Sequence, residues 1–164
     1  MTVTSVDANL DRRVLTVVSD FRAPASRVWA LWEDARSLER WWGPPGWPAT
    51  FTQHRLEPGA KSVYFMTGPE GDRHYGWWTV TGVREPDRLE FEDGFGDEHG
   101  TPSAGMPTST VRVGLAPRSD GGTTMTIETT FPTRDDMQKL MDMGMQEGLR
   151  AALGQMDALL AEAA

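Results

Sequence analysis

The 164-residue chain contains no cysteine. This excludes disulfides, a thiolate nucleophile and any thiolate metal site, and it fits a reducing, cytoplasmic setting. Positive charge is also scarce: 16 Lys and Arg stand against 24 Asp and Glu, for a net charge of −8. A chain this acidic, with no basic stripe, repels phosphate backbones, so neither nucleic acid nor an anionic membrane surface is expected as a partner. No apolar run is long enough to span a bilayer, and the N-terminal residues lack the basic and apolar regions of a signal peptide. The three histidines, His54, His74 and His99, have no metal-type spacing. Phosphate-loop glycine patterns and a Gly-x-Ser-x-Gly nucleophile elbow are absent as well. No metal or cofactor is therefore expected, and no catalytic residue can be assigned.

Large, deformable apolar side chains are what the sequence has in quantity, with seven Trp and nine Met. Such residues fill wide or irregular apolar spaces, whether an ordinary core or the wall of a pocket.

The β-branched run at 12–21 predicts a first strand. Pro24 then opens a helix over 25–35, with Val28, Trp29, Trp32 and Ala35 on one stripe. Ser37 is placed to cap a second short helix ending at Trp42, and Gly43-Pro44-Pro45-Gly46 stops it. Strands are predicted at 49–57, 61–67, 74–84 and 88–92, followed by a Gly/Pro-rich loop over 94–107. Two more strands, at 110–116 and 123–131, flank the hairpin turn Asp120-Gly121-Gly122. From a Thr133 N-cap, one apolar stripe then runs from Met137 to Leu160, predicting a helix of about 28 residues.

Strands joined by tight turns pair with their neighbours, and the terminal helix is the only sizeable cover for their apolar face. The expectation is an α+β fold. A curved antiparallel sheet of about six to seven strands wraps the long C-terminal helix, in one domain spanning 1–164 with a core at about 12–160.

Within this plan Gly144 and Gly148 fall on the buried stripe of the helix, where each costs up to about 1 kcal/mol relative to Ala. They imply either close approach of the helix backbone to the sheet or room for a ligand. The candidate cavity wall is Met141, Met145, Gly148 and Met156 from the helix, with Trp41, Trp42, Phe51, Phe65 and Trp78 from the opposite side. The inward parity of the strands is open. Trp41 to Trp47 reads as a pocket rim or as a plug closing one end. Trp77 and Trp78 must point to opposite faces, one of them inward. The other is exposed, or covered by a loop or by a second chain in a homodimer. Arg55, Arg73 or Arg112 would fix a carboxylate ligand if turned inward, although charged strand residues ordinarily face solvent.

The segments 24–35 and Trp41-Trp42-Gly43-Pro44 resemble the opening of proteins homologous to the activator of heat-shock-protein-90 ATPase. Glu57-Pro58-Gly59, Gly68-Pro69-Glu70-Gly71, the run from Glu85 to Phe91, Gly121-Gly122-Thr123-Thr124 and the run from Gly144 to Gly148 extend the resemblance along nearly the whole chain. That family is a branch of the START and birch-pollen-allergen-like superfamily (SRPBCC). The resemblance implies a helix-grip fold with an internal cavity. The superfamily includes lipid and sterol carriers, hormone receptors, polyketide cyclases and co-chaperone domains, and no shared catalytic set transfers to this chain. Three functions are thus expected in order: binding of a small hydrophobic or amphipathic molecule, a cyclase- or hydrolase-like enzyme working in the cavity, and a co-chaperone-like interaction module.

Overall fold

The computed structural model describes residues 3–162. Eight strands form one antiparallel sheet. They are β1 (Val3–Asn9), β2 (Val14–Phe21), β3 (Ala49–Gln53), β4 (Lys61–Thr67), β5 (Arg73–Arg84), β6 (Arg88–Gly96), β7 (Ser109–Pro117) and β8 (Thr123–Thr130). Their spatial order is β1-β2-β8-β7-β6-β5-β4-β3, so the one long-range pairing joins β2 to β8. Helices α1 (Ala25–Glu33) and α2 (Ala35–Trp42) follow β2, and α3 (Arg134–Asp142) and α4 (Met145–Glu162) end the chain.

The strand count exceeds the expected six to seven because β1 pairs with β2 across a turn at 10–13. Its residues, Val-Thr-Ser-Val-Asp-Ala-Asn, are mostly polar and exposed, as an edge strand allows. The cap of α2 also differs from expectation. Asp34, not Ser37, is the N-cap, and its carboxylate accepts the Ser37 N–H at 3.0 Å and the Ser37 hydroxyl at 2.8 Å. Thr133 does cap α3, accepting the Asp136 N–H at 3.0 Å.

The largest difference is in the terminal helix, which is two helices. Gly144 has φ +89, a left-handed conformation that stops α3 (C-cap Met143) before α4 starts at Met145. The apolar stripe runs through the break unchanged, so periodicity does not reveal it.

The two halves of α4 have different surroundings. Its buried residues, Ala152, Leu153, Met156 and Leu160, begin at the middle of the helix and continue into its C-terminal half. That half is tied to the α2 end by Gln155 Nε2, which donates to the carbonyls of Trp41 (3.2 Å) and Gly43 (2.7 Å), and by the Arg40–Glu162 ion pair at 2.8 Å. Trp41 and Trp42, at that end of α2, belong to an aromatic cluster shared with α1, β5 and β6. Trp78 stacks on Phe91 (centroids 4.1 Å, 19°), Trp42 meets Trp78 edge-on at 4.9 Å, and Trp32 meets Trp41 edge-on at 4.7 Å.

On the far face of the sheet, Trp77 and Val63 are buried under the connection between β6 and β7. Trp77 Nε1 donates to the Phe95 carbonyl at 3.1 Å, and Gly100 comes close to Val63. A loop, rather than solvent, therefore covers the outward tryptophan.

A Cβ built on either Gly144 or Gly148 meets nothing within 4 Å. Only Gly144 of the two has a positive φ, so they should respond oppositely to Ala. Gly144→Ala should destabilise by about 1–2 kcal/mol through left-handed strain. Gly148→Ala should stabilise by up to about 1 kcal/mol through helix propensity. Urea denaturation of both variants checks the pair.

Candidate functional site

Where α4 leaves the aromatic cluster, a cavity of about 330 Å³ opens between its N-terminal half and the inner face of the sheet. Met145, Gly148, Leu149 and Ala152 of α4 form its roof, with Leu140 of α3 and Met143 at one side. The floor comes from alternate residues of the strands. Tyr64 and Met66 of β4, Asp93 and Phe95 of β6, Ser109 and Val111 of β7, and Ile127 and Thr129 of β8 all line it. Trp32 and Trp42 close its inner end.

The expected wall residues fall into three groups. Trp42, Met145 and Gly148 line the cavity. Trp41, Phe51, Trp78 and Met156 are buried behind it, and Met141 packs against the core without lining it. Trp41 donates its indole N–H to the Leu31 carbonyl at 2.9 Å, and Phe51 stacks on Tyr64 at 4.8 Å. Phe65 lies on the wrong side of the sheet. Ser62, Tyr64 and Met66 set the inward parity of β4, so Phe65 faces outward with Tyr75 and lies under the Arg73 guanidinium at 4.2 Å. Both faces of β4 are apolar because the loop covers Val63 on the outside, so hydrophobicity alone does not choose between them.

None of the three arginines considered for a carboxylate ligand reaches the cavity. Arg55 pairs with exposed Glu57, Arg73 lies over Phe65, and Arg112 bridges Glu90 and Glu128 on the outer surface. Among the described residues no Lys or Arg lines the cavity.

The charged group that does line it is an acid. Asp93 extends the inward series Leu89, Phe91 to a third member and lies between Trp78 of β5 and Ser109 of β7 in register. Sequence reasoning misses it because the predicted strand ends at Glu92. Carrying the two-residue alternation one step further finds it. Its side chain keeps some accessible surface, which is cavity surface, and protein otherwise encloses it. Among the described residues no donor or cation is within bonding distance of its carboxylate. Burial alone pushes its pKa up to about 7.

Tyr64 is the second polar group. Gly76 faces it across the β4–β5 pair, and a Cβ there would collide with the phenol ring and oxygen. The missing side chain lets the Tyr64 ring lie across β5 towards β6. Burial, and then the charge of Asp93, raise the Tyr64 pKa above its ordinary value, so the phenol stays protonated. His74 stands at the outer end, edge-on to Trp47 at 5.0 Å and hydrogen-bonded to Asp72 at 3.2 Å. His54 lies outside the cavity. Its ring is held between the Ser62 hydroxyl (2.7 Å) and the Trp32 carbonyl (2.8 Å), and burial lowers its pKa. Among the described residues no cluster of His and carboxylates could hold a metal.

An eight-stranded antiparallel sheet gripping a C-terminal helix across a cavity defines a helix-grip protein. The chain belongs to the family described as Activator of Hsp90 ATPase homolog 1-like protein, whose model matches residues 22–161. The solution structure of a protein from Arthrobacter aurescens is similar over 98% of this chain and 93% of its own, at 49% identity and a TM-score of 0.93. The crystal structure of protein Ms6760 from Mycobacterium smegmatis is 42% identical over 96% of each chain, with a TM-score of 0.89. An AHSA1 protein from Silicibacter pomeroyi, at 24% identity over 92% of this chain and 99% of its own and a TM-score of 0.73, shares the fold. A search of the curated proteins finds no match.

The raised Asp93 pKa has a measurable consequence. Between about pH 4 and pH 7 the folded chain holds a proton that the unfolded chain has released, so stability falls as pH rises through that window. Asp93→Asn removes this loss. At pH 8 the variant should be more stable than the parent by about 1–3 kcal/mol, a tenfold change in proton affinity being worth about 1.4 kcal/mol, and the gap should close near pH 4. Denaturant titrations at the two pH values test this.

Proposed function

We propose that this chain binds a small hydrophobic or amphipathic molecule in the cavity between the sheet and the N-terminal half of α4. The observation that carries the reading is the empty space at Gly148: a half-buried position on the cavity wall where a side chain would meet nothing within 4 Å. A core without a ligand role would be expected to fill that space, since interiors pack like organic crystals. The volume of about 330 Å³ lies in the range of small-molecule sites, which are mostly apolar with a few placed polar groups. Membership of a family whose superfamily includes lipid and sterol carriers supports the same reading. Affinity would come from buried ligand area at about 25 cal/mol per Å².

A second reading has one observation in its favour. A carboxyl group with a pKa of about 7 inside an apolar cavity is poised to take and return a proton near neutrality, as general acid–base catalysis requires. Under this reading Asp93 is the catalytic residue and the bound molecule is a substrate. Conversion of the bound molecule by the parent chain, and its loss in Asp93→Asn, separates this from simple binding.

Native mass spectrometry of the protein from its own host, with a thermal-shift screen of lipids, sterols and aromatic polyketides, tests the binding reading. A co-purifying mass, or one class that stabilises the fold, is expected. Saturation at about 100 Kd adds roughly 2.7 kcal/mol, which raises Tm by several degrees. Gly148→Leu should keep the fold and lose the adduct and the shift. A parent chain with neither adduct nor shift, or a Gly148→Leu chain that retains both, would overturn the assignment.

A further inference from the structure

Buried charges in proteins are ordinarily paired, because an isolated ion is costly to remove from water. Asp93 breaks this rule in a specific way. Its carboxylate lies on the floor of the cavity, and no cation or hydrogen-bond donor among the described residues meets it. The groups around it do not supply a counter-charge. Tyr64 from β4 is a neutral phenol, His74 from β5 is at the outer end and engaged with Asp72, and Ser109 from β7 is neutral. The cavity-lining residues of α3 and α4 are uncharged, and so is Trp42 of α2. The remainder of the wall is mostly apolar and aromatic, with the Trp42 and Tyr64 rings edge-on at 6.0 Å and the buried indole N–H groups of Trp32 and Trp42 as its unpaired neutral donors. Aromatic faces attract cations and do not attract anions.

We infer that the molecule held in this cavity is an apolar amine, whose ammonium group pairs with Asp93 while its hydrocarbon body lies under Met145 and Gly148. The inference rests on the binding role proposed above and adds the sign of the ligand's charge. An ammonium supplies the missing counter-ion and donates hydrogen bonds to the carboxylate. The Tyr64 and Ser109 hydroxyls are further acceptors within the same wall. A carboxylate ligand would meet the opposite: a like charge at Asp93 and no arginine or lysine to receive it. The net charge of −8 favours approach of a cation over an anion.

The test uses three compounds with one hydrocarbon body: 1-naphthylmethylamine, 1-naphthalenemethanol and 1-naphthaleneacetate. Affinities for the full chain are measured by calorimetry at pH 8 and pH 5.5. At pH 8 the amine should bind at least about tenfold more tightly than the alcohol, and the acetate more weakly than either. The amine's advantage should shrink at pH 5.5, where the free Asp93 is largely protonated. Asp93→Asn should bring the amine-to-alcohol affinity ratio down to about one.

If the alcohol binds and Gly148→Leu blocks it, but the amine shows no advantage, the ammonium assignment is wrong and the cavity role stands. The same conclusion follows if Asp93→Asn keeps the amine's advantage. If none of the three binds, or all bind Gly148→Leu as well as the parent, the binding role itself fails and the amine with it.

Discussion

The cavity depends on how differently the two ends of α4 are held: its buried residues begin only at Ala152. Trp78 stacks on Phe91 at 4.1 Å, and Trp32, Trp41 and Trp42 pack round that pair. Trp41 and Trp42 join this wide aromatic cluster to the end of α2, to which Gln155 and Glu162 fasten α4. Ring pairs of this kind contribute about 0.5–1.5 kcal/mol beyond the area they bury. At the other end the left-handed Gly144 separates α4 from α3, and Gly148 brings no side chain to fill what lies below. The same helix is therefore core at one end and roof at the other.

The polar content of the cavity follows from the pleat. Because strand residues alternate, the inward row that contributes Leu89 and Phe91 to the core must contribute Asp93 next, just where the aromatic cluster ends and the open space begins. Gly76 opposite Tyr64 lets a phenol cross β5 into the same region. All three arginines considered for a carboxylate ligand sit outside the cavity, so none balances the acid. The result is a hydrophobic space with an acidic floor.

Much of the architecture is legible in the sequence, because it rests on patterns that burial imposes. Alternation marks β7 and β8, the Pro/Gly turns separate β3 to β6, and the stripe from Met137 to Leu160 marks the helical cover. What is not legible is set by geometry that leaves no periodic trace. An edge strand such as β1 buries little and so reads as polar chain. The sign of φ at Gly144 does not alter the apolar stripe, so two helices read as one. The parity of β4 is ambiguous because a loop makes its outer face apolar too, and the expectation of an inward Phe65 fails for that reason. Asp93 is lost because the predicted strand stops at Glu92, four residues before β6 ends at Gly96. The glycines on the helix stand out in the sequence as needing a reason, but only the structure distinguishes close approach from open space.

The most direct measurement of the central claim, that a small molecule occupies the space beneath the N-terminal half of α4, is a methyl NMR titration. The protein would carry 13C-methyl methionine, and 1-naphthalenemethanol would be added to saturation. Met66, Met143 and Met145 line the cavity, whereas Met125, Met137 and Met156 are fully buried elsewhere in the core. The expected result is movement of the first three methyl signals with the last three nearly fixed. Signals that all stay in place, or that move equally in both groups, would contradict a ligand site at this position.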